Sequence, residues 1–259
     1  MVRVIVRADD IIGPGLVALA DWFETYHPDV PCAAFAMETQ RAWDRRSWQR
    51  ARTMIEEYGW ELGGHTRSHP KLSLLSEAEI RAAIERNVED IERGLRSAGL
   101  EYSVASFAYP CGDFDERVVS ILDELGLGCG LTYPDGFPYS SVDTIPDGAD
   151  QLQWGVTHNG KFGTAVWNQR FDRVCERRDG LYVLCIHPGR WATSVLGTVT
   201  TYLDHELPVI VVAKSLARGL LQRRESKWDV LDEHLRYVKR ADDVEFTTFR
   251  DCVEAPREA

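Results

Sequence analysis

Apolar and polar positions along this chain fall into short blocks that alternate between two periods. VRVIV (2–6) is a β-branched run that stops at Ala8-Asp9-Asp10, and IIGPG then breaks the chain before an apolar-periodic stretch with Leu16, Ala20 and Phe23. That order predicts strand, acidic loop, helix. PCAAFAM (31–37) predicts a second buried strand, SWQRARTMIEEY (47–58) a helix on Trp48, Ala51, Ile55 and Tyr58, and WELGG (60–64) a third strand ending directly before His65. Ser76 with Glu79 forms a capping box, and Ile80, Ile84, Val88, Ile91 and Leu95 follow at spacings of three or four, so a helix runs to near Gly99.

Further on, SVASFAYP (103–110) reads as a strand, DERVVSILDEL (115–125) as a helix and LGCGLTY (127–133) as a strand. After Tyr133 a Pro-, Gly- and Asp-rich stretch reaches about Asp150, and no element is assigned until LYVLCI (181–186), a strand that delivers His187. Residues 190–225 are left unassigned. Ser226 caps a helix over DVLDEHLRYVKR (229–240), and DDVEFTTF (242–249) closes the pattern as a short strand. Strands alternating with helices at this spacing imply a parallel β/α architecture, in one domain spanning residues 1–259.

The charge balance narrows the partners. Lys plus Arg number 30 against 41 Asp plus Glu, a formal net charge of -11, so the surface field repels phosphate backbones and anionic headgroups, and neither nucleic acid nor membrane is an expected partner. MVRVIVRADD turns acidic too early for a signal segment and no long apolar run occurs, which gives a cytoplasmic expectation. Cys32, Cys111, Cys129, Cys175, Cys185 and Cys252 contain no CxxC pair, so neither a zinc cage nor a disulfide framework is expected, and most read as reduced core residues.

In a parallel β/α fold, side chains at the C-terminal ends of strands converge on one face. Asp9-Asp10, His65 to His69, Tyr109-Pro110 with Gly112, and His187-Pro188 all occupy such ends. HTRSHP sets two imidazoles four residues apart, which on a helical turn places both on one side, close enough to share a metal ion. Two histidines and a carboxylate leave positions open for water and substrate, as a catalytic metal requires. Taken singly each motif is weak: Asp242-Asp243 repeats the acidic dipeptide with no evident purpose, and a histidine before proline is an ordinary strand end.

Their order carries more. Ala8-Asp9-Asp10, His65-Thr66-Arg67-Ser68-His69, Phe107-Ala108-Tyr109-Pro110-Cys111-Gly112 and Leu184-Cys185-Ile186-His187 together resemble the NodB-type polysaccharide deacetylases, over residues 1 to about 190 and again at the last strand near 244–249. The resemblance implies a single distorted (β/α) barrel with a metal site at the C-terminal ends of its strands. It also implies that Asp10, His65 and His69 bind one divalent ion, most simply zinc, with cobalt, nickel, iron or manganese also suited to this donor set. Asp9 would be the general base and His187 the acid that protonates the leaving group, while a backbone N–H in the Tyr109, Pro110, Cys111, Gly112 loop would stabilise the oxyanion. The implied substrate is an N-acetylated, less readily an O-acetylated, sugar or another small amide. Trp154, His158, Trp167 and Trp191 flank the region where it would sit, as stacking platforms or as core.

Two departures from the family stand out. Ala108 occupies the place where many members carry an arginine that orients the catalytic aspartate, and the acidic residue that steadies that arginine is not visible. A branch in which Asp9 is oriented differently, or has a changed role, is implied. Cys111 stands at an often aromatic position, implying a groove shaped for another substrate. Two alternatives accompany the deacetylase reading: an allantoinase-like hydrolase of small amides or cyclic ureides, and a catalytically silent barrel that binds carbohydrate or protein.

Overall fold

The computed structural model describes residues 1–131, 151, 158–159, 163–176, 180–188 and 226–254. Strands and helices alternate as expected through β1 (Val2–Ile11), α1 (Gly13–Tyr26), β2 (Cys32–Ala36), α2 (Arg45–Tyr58), β3 (Glu61–Gly64), α3 (Glu77–Ser97), β4 (Ser106–Ala108), α4 (Glu116–Glu124) and β5 (Cys129–Leu131). They continue through β6 (His158–Asn159), α5 (Thr164–Cys175), β7 (Leu181–Ile186), α6 (Lys227–Val238), β8 (Val244–Phe246) and α7 (Phe249–Glu254). All strand pairings among the described residues are parallel, in the order β5-β4-β3-β2-β1-β7-β6, with β8 added beside the start of β1. The result is a half-barrel sheet with β5 and β6 at the ends of its path.

β1 is central because its sequence suits burial on both faces. Val2 to Val4 pair with β8, Val6 to Ile11 with β2, and Arg3 to Ala8 with β7, and nearly every residue is buried. The helices that cover the sheet start where local chemistry dictates. Ser76 and Glu79 form the expected capping box on α3, Ser226 does the same with Asp229 on α6, and Asp44 and Asp115 cap α2 and α4. α3 and α2 approach closely at Gly94, where a Cβ would lie 2.3 Å from the Trp48 indole.

Several elements differ from the sequence reading: β1 runs on through Asp9 and Asp10 to Ile11 instead of giving way to an acidic loop, and the short β6 (His158–Asn159) lies in the stretch left unassigned. α5 was not expected, although Trp167, Phe171 and Val174 recur at helical spacing on its buried face; the helix opens at Gly163 without a side-chain cap, so its start carries no signal. The last strand is shorter than 242–249, because Asp251 accepts hydrogen bonds from the Thr248 N–H and hydroxyl and turns the chain into α7. The unassigned segment 190–225 lies outside the described residues. Among the described residues no helix is long and apolar enough to cross a membrane. Cys32, Cys185 and Cys252 are buried and unpaired as expected, whereas Cys111 is exposed.

α5, β7 and α6 meet around the buried His234. Its Nδ1–H donates to Asn168 Oδ1 at 2.8 Å and its Nε2 accepts from the Tyr182 hydroxyl at 2.9 Å, which suits the neutral ring. Burial pushes its pKa down from 6.5 to about 3. The folded state therefore binds fewer protons than the unfolded one between these values, and stability falls as pH drops from 6.5 towards 3, by roughly 4–5 kcal/mol in full. Urea unfolding between pH 7 and pH 4 should show this slope, and His234→Gln should flatten it.

Candidate active site

The site grows from an irregularity in β1. Arg7 and Ala8 pair with Ala33 and Ala34, but the next partners are Ile11 and Ala36, so β1 carries one extra residue against β2. Asp10 absorbs it in the left-handed region, with φ 58. In a regular strand adjacent side chains point to opposite faces. Here the bulge brings both carboxylates to the C-terminal rim, Asp9 among Cys185 and His187, and Asp10 among His65 and His69.

Asp10 Oδ1 lies 3.2 Å from His65 Nε2 and 3.3 Å from His69 Nε2. The His65 ring is fixed from behind: its Nδ1 sits 2.7 Å from the Ala108 carbonyl, which can only accept, so Nδ1 carries the proton and Nε2 presents a lone pair. The two histidines do not lie on a helical turn, as their spacing suggested. HTRSHP is a loop after β3, in which Thr66 (φ 62) and His69 (φ 52) adopt left-handed backbone and the His69 N–H donates to Thr66 Oγ1 at 3.0 Å. That bend brings the ring centroids to 4.8 Å. Such backbone costs about 1–3 kcal/mol per residue and persists where surrounding contacts enforce it.

Those contacts come from α3. Asn87 Oδ1 accepts from the N–H groups of both His65 (2.8 Å) and Thr66 (3.1 Å), while its Nδ2 donates to the Ala36 carbonyl and to Thr39 Oγ1. Gly64 makes room for it, since a Cβ there would meet Asn87 Oδ1 at 3.0 Å and the Phe107 ring at 2.8 Å. One turn on, Asp90 receives Arg67 through two 2.7 Å hydrogen bonds and Thr39 Oγ1 at 2.9 Å. Sequence reasoning passed over both residues. The signal was present: Asn87 and Asp90 fall in the apolar stripe of α3 and are buried there. Asn87→Ala should cost roughly 2–4 kcal/mol in urea unfolding, because several buried backbone and side-chain groups lose partners. It should also weaken metal binding about 10–100-fold in chelator competition.

Asp9 is held on the opposite side of the bulge. Arg7 donates to both of its oxygens, Nε to Oδ1 and Nη2 to Oδ2, each at 2.7 Å, and the Cys185 thiol donates to Oδ2 at 3.5 Å. Burial alone would raise the Asp9 pKa, but the charges of Arg7, His65 and His187 outweigh it and keep the carboxyl below its usual range. Burial likewise opposes Asp10, and the close approach of the His65 and His69 rings prevails there too, holding the carboxyl well below its usual range. The Cys185 thiol is pushed well up by burial and remains protonated. Arg7, fully buried, is the residue most clearly missed from sequence; an arginine two places before Asp9 in an apolar strand shares its face and was the available clue.

The loop after β4 completes the rim. Its Tyr109 side chain is core, buried and stacked on Phe114 at 4.8 Å, so it offers no surface to a substrate. The Tyr109 N–H donates to the Leu131 carbonyl, the Gly112 N–H to the Tyr109 carbonyl, and Pro110 has none. None of these bonds uses the Cys111 N–H. Cys111 is left-handed (φ 61) and exposed, with Sγ 3.8 Å from His69 Nδ1. Ser73 anchors this loop to the histidine loop through two hydrogen bonds to Asp113. Of the aromatic candidates, Trp167 is fully buried against His234 and is a core residue. Trp154 and Trp191 lie outside the described residues, and only the backbone of His158 is placed, beside Leu184 of β7.

The donor set suits a divalent ion. Donor separations of 3.2 and 3.3 Å match the edges of a tetrahedron with bonds of about 2.0–2.1 Å. A hydrogen bond from His65 Nε2 to Asp10 would require a doubly protonated ring, whereas a shared cation requires none.

Fold and site thus define a parallel β/α half-barrel with a His-His-Asp cluster at its strand ends. Residues 19–130, which carry His65, His69 and the Tyr109–Gly112 loop, match the family model described as polysaccharide deacetylase. Asp9, Asp10 and His187 lie outside the match and join the site through the fold. No curated protein matches the chain. Among solved structures, a Mycobacterium smegmatis protein provisionally named a polysaccharide deacetylase shares 16% identity over 98% of this chain and 89% of its own, with a TM-score of 0.59. A mutant form of the peptidoglycan deacetylase PdaC from Bacillus subtilis shares 14% over 96% and 88%, with a TM-score of 0.52. Both likenesses show the fold. A CE4 family pseudoenzyme from Bacillus anthracis is 20% identical over 79% of this chain, with a TM-score of 0.46, and this chain covers 61% of its length.

Proposed function

We propose that this protein is a metal-dependent hydrolase that removes an acetyl group from an N-acetylated sugar. The observation that carries the reading is the meeting of Asp10 Oδ1 with the Nε2 atoms of both His65 and His69, with the His65 tautomer set by the Ala108 carbonyl. Asp10, His65 and His69 would hold a divalent ion, which would supply Lewis-acid polarisation of the acetyl carbonyl and of the attacking water. Asp9, ionised across the neutral range, accepts the proton of the attacking water. His187, whose ring nitrogen lies within 4.8 Å of an Asp9 oxygen, delivers a proton to the departing amine, without which an amide nitrogen leaves poorly. The Cys111 N–H, outside the loop's own hydrogen bonds, is the donor for the developing oxyanion.

The reading is tested by metal content of the purified protein together with acetate release from a panel of N- and O-acetylated sugars. One equivalent of metal and acetate released from an N-acetylated sugar support it. Metal-loaded protein inactive on every acetylated sugar would sink it and favour hydrolysis of small amides or cyclic ureides. Protein that resists metal loading altogether would favour a silent binding barrel.

A further inference from the structure

Arg7 and Asp9 form a buried ion pair whose geometry has one use at this site. Both lie on the same face of β1, and both Asp9 oxygens are engaged by the guanidinium fork at 2.7 Å. The guanidinium carbon sits 5.6 Å from the centre of the Phe35 ring. Phe35 belongs to the inward cluster that also contains Ala108 and Cys185, so the arginine occupies the barrel interior that this cluster lines. A pair of charges is costly to bury and is a poor device for stability alone. A two-pronged fork, however, fixes the carboxylate plane, which a single hydrogen bond does not.

We infer that Arg7 is the positioning residue for Asp9: it fixes the carboxylate as a base and keeps it out of the coordination shell of the ion beside it. Asp9 is adjacent in sequence to Asp10, and an unpaired carboxylate there would be drawn to a divalent ion as a further ligand. Arg7 neutralises it and holds its oxygens towards the interior. The departure at Ala108 then follows physically. Ala108 lies in the same interior cluster as Phe35, over whose ring the Arg7 guanidinium sits, and its carbonyl orients His65. Asp9 is thereby oriented from its own strand. The inference rests on the hydrolase reading for the role of Asp9, but not for its exclusion from the metal.

The test compares wild type, Arg7→Met, Arg7→Lys and Arg7→Met/Ala108→Arg, each loaded with one equivalent of cobalt(II). Arg7→Met should lower kcat about 10–100-fold with KM little changed, the size of effect typical of residues that orient a metal site. Its cobalt d–d absorption should change as Asp9 joins the ion, and a crystal structure should show the carboxylate swung towards Asp10. Arg7→Lys, with one prong, should fall between Arg7→Met and wild type, and decides the matter if Arg7→Met does not fold. The double variant, with an arginine supplied from β4, should recover at least part of kcat and the wild-type spectrum. An unchanged cobalt spectrum and an unmoved Asp9 in the single variants would overturn the inference, whatever happens to stability. Wild-type protein without acetate release would sink the hydrolase reading instead, while spectrum and carboxylate position still decide the role of Arg7.

Discussion

Asp10→Ala is expected to leave the purified protein with less than a tenth of an equivalent of metal and to lower acetate release by about three orders of magnitude. The metal term follows from geometry: Asp10 Oδ1 is the point that both imidazoles face, at 3.2 and 3.3 Å, and it contributes the cluster's only negative charge. The rate term follows because several kcal/mol of transition-state stabilisation leave with the ion, at about 1.4 kcal/mol per decade. Asp10→Asn separates charge from backbone strain. Asparagine tolerates the left-handed backbone at φ 58 better than alanine, so it should keep the fold and still bind metal poorly. Elemental analysis by mass spectrometry and an acetate assay check both variants. Metal retained in full by Asp10→Asn would remove Asp10 from the ligand set.

Asp9→Asn should give the opposite pattern, with metal content unchanged and kcat down by about 10²–10⁴-fold, the usual contribution of a positioned proton acceptor. The amide keeps the shape of the carboxylate but cannot take a proton from water, and its NH₂ would face one prong of the Arg7 fork. Leaving that guanidinium uncompensated in the interior should also cost roughly 3–5 kcal/mol, visible as a lower midpoint in urea. Loss of metal along with activity would instead make Asp9 a ligand. The two neighbouring aspartates are therefore distinguishable by one measurement each, metal for Asp10 and rate for Asp9.

The elements that carry the site were legible where the signal is local. Serine followed three residues later by an acid announces the starts of α3 and α6, because the capping hydrogen bonds close within one turn. The strands that deliver Asp9, His65, Tyr109 and His187 are legible because parallel strands buried on both faces read as apolar runs, although β1 continues through Asp9 and Asp10 to Ile11 where an acidic loop was expected. Asn87 and Asp90 were passed over although they fall in the apolar stripe of α3, because the helix pattern does not say which loop a buried polar residue braces. α5 was missed because its start has no cap to announce it.

The sequence by itself determined the order of strands and helices, the residue types at the strand ends and hence the family they resemble, because each of these depends on neighbours within a few positions. Only the tertiary structure decided how those residues face one another. The extra residue in β1, the left-handed backbone at Thr66 and His69, the Asn87 clamp from α3 and the Arg7 fork on Asp9 each depend on segments packed against the site. Positive φ and buried charge are unfavourable taken alone, and they persist here because contacts remote in sequence compensate them.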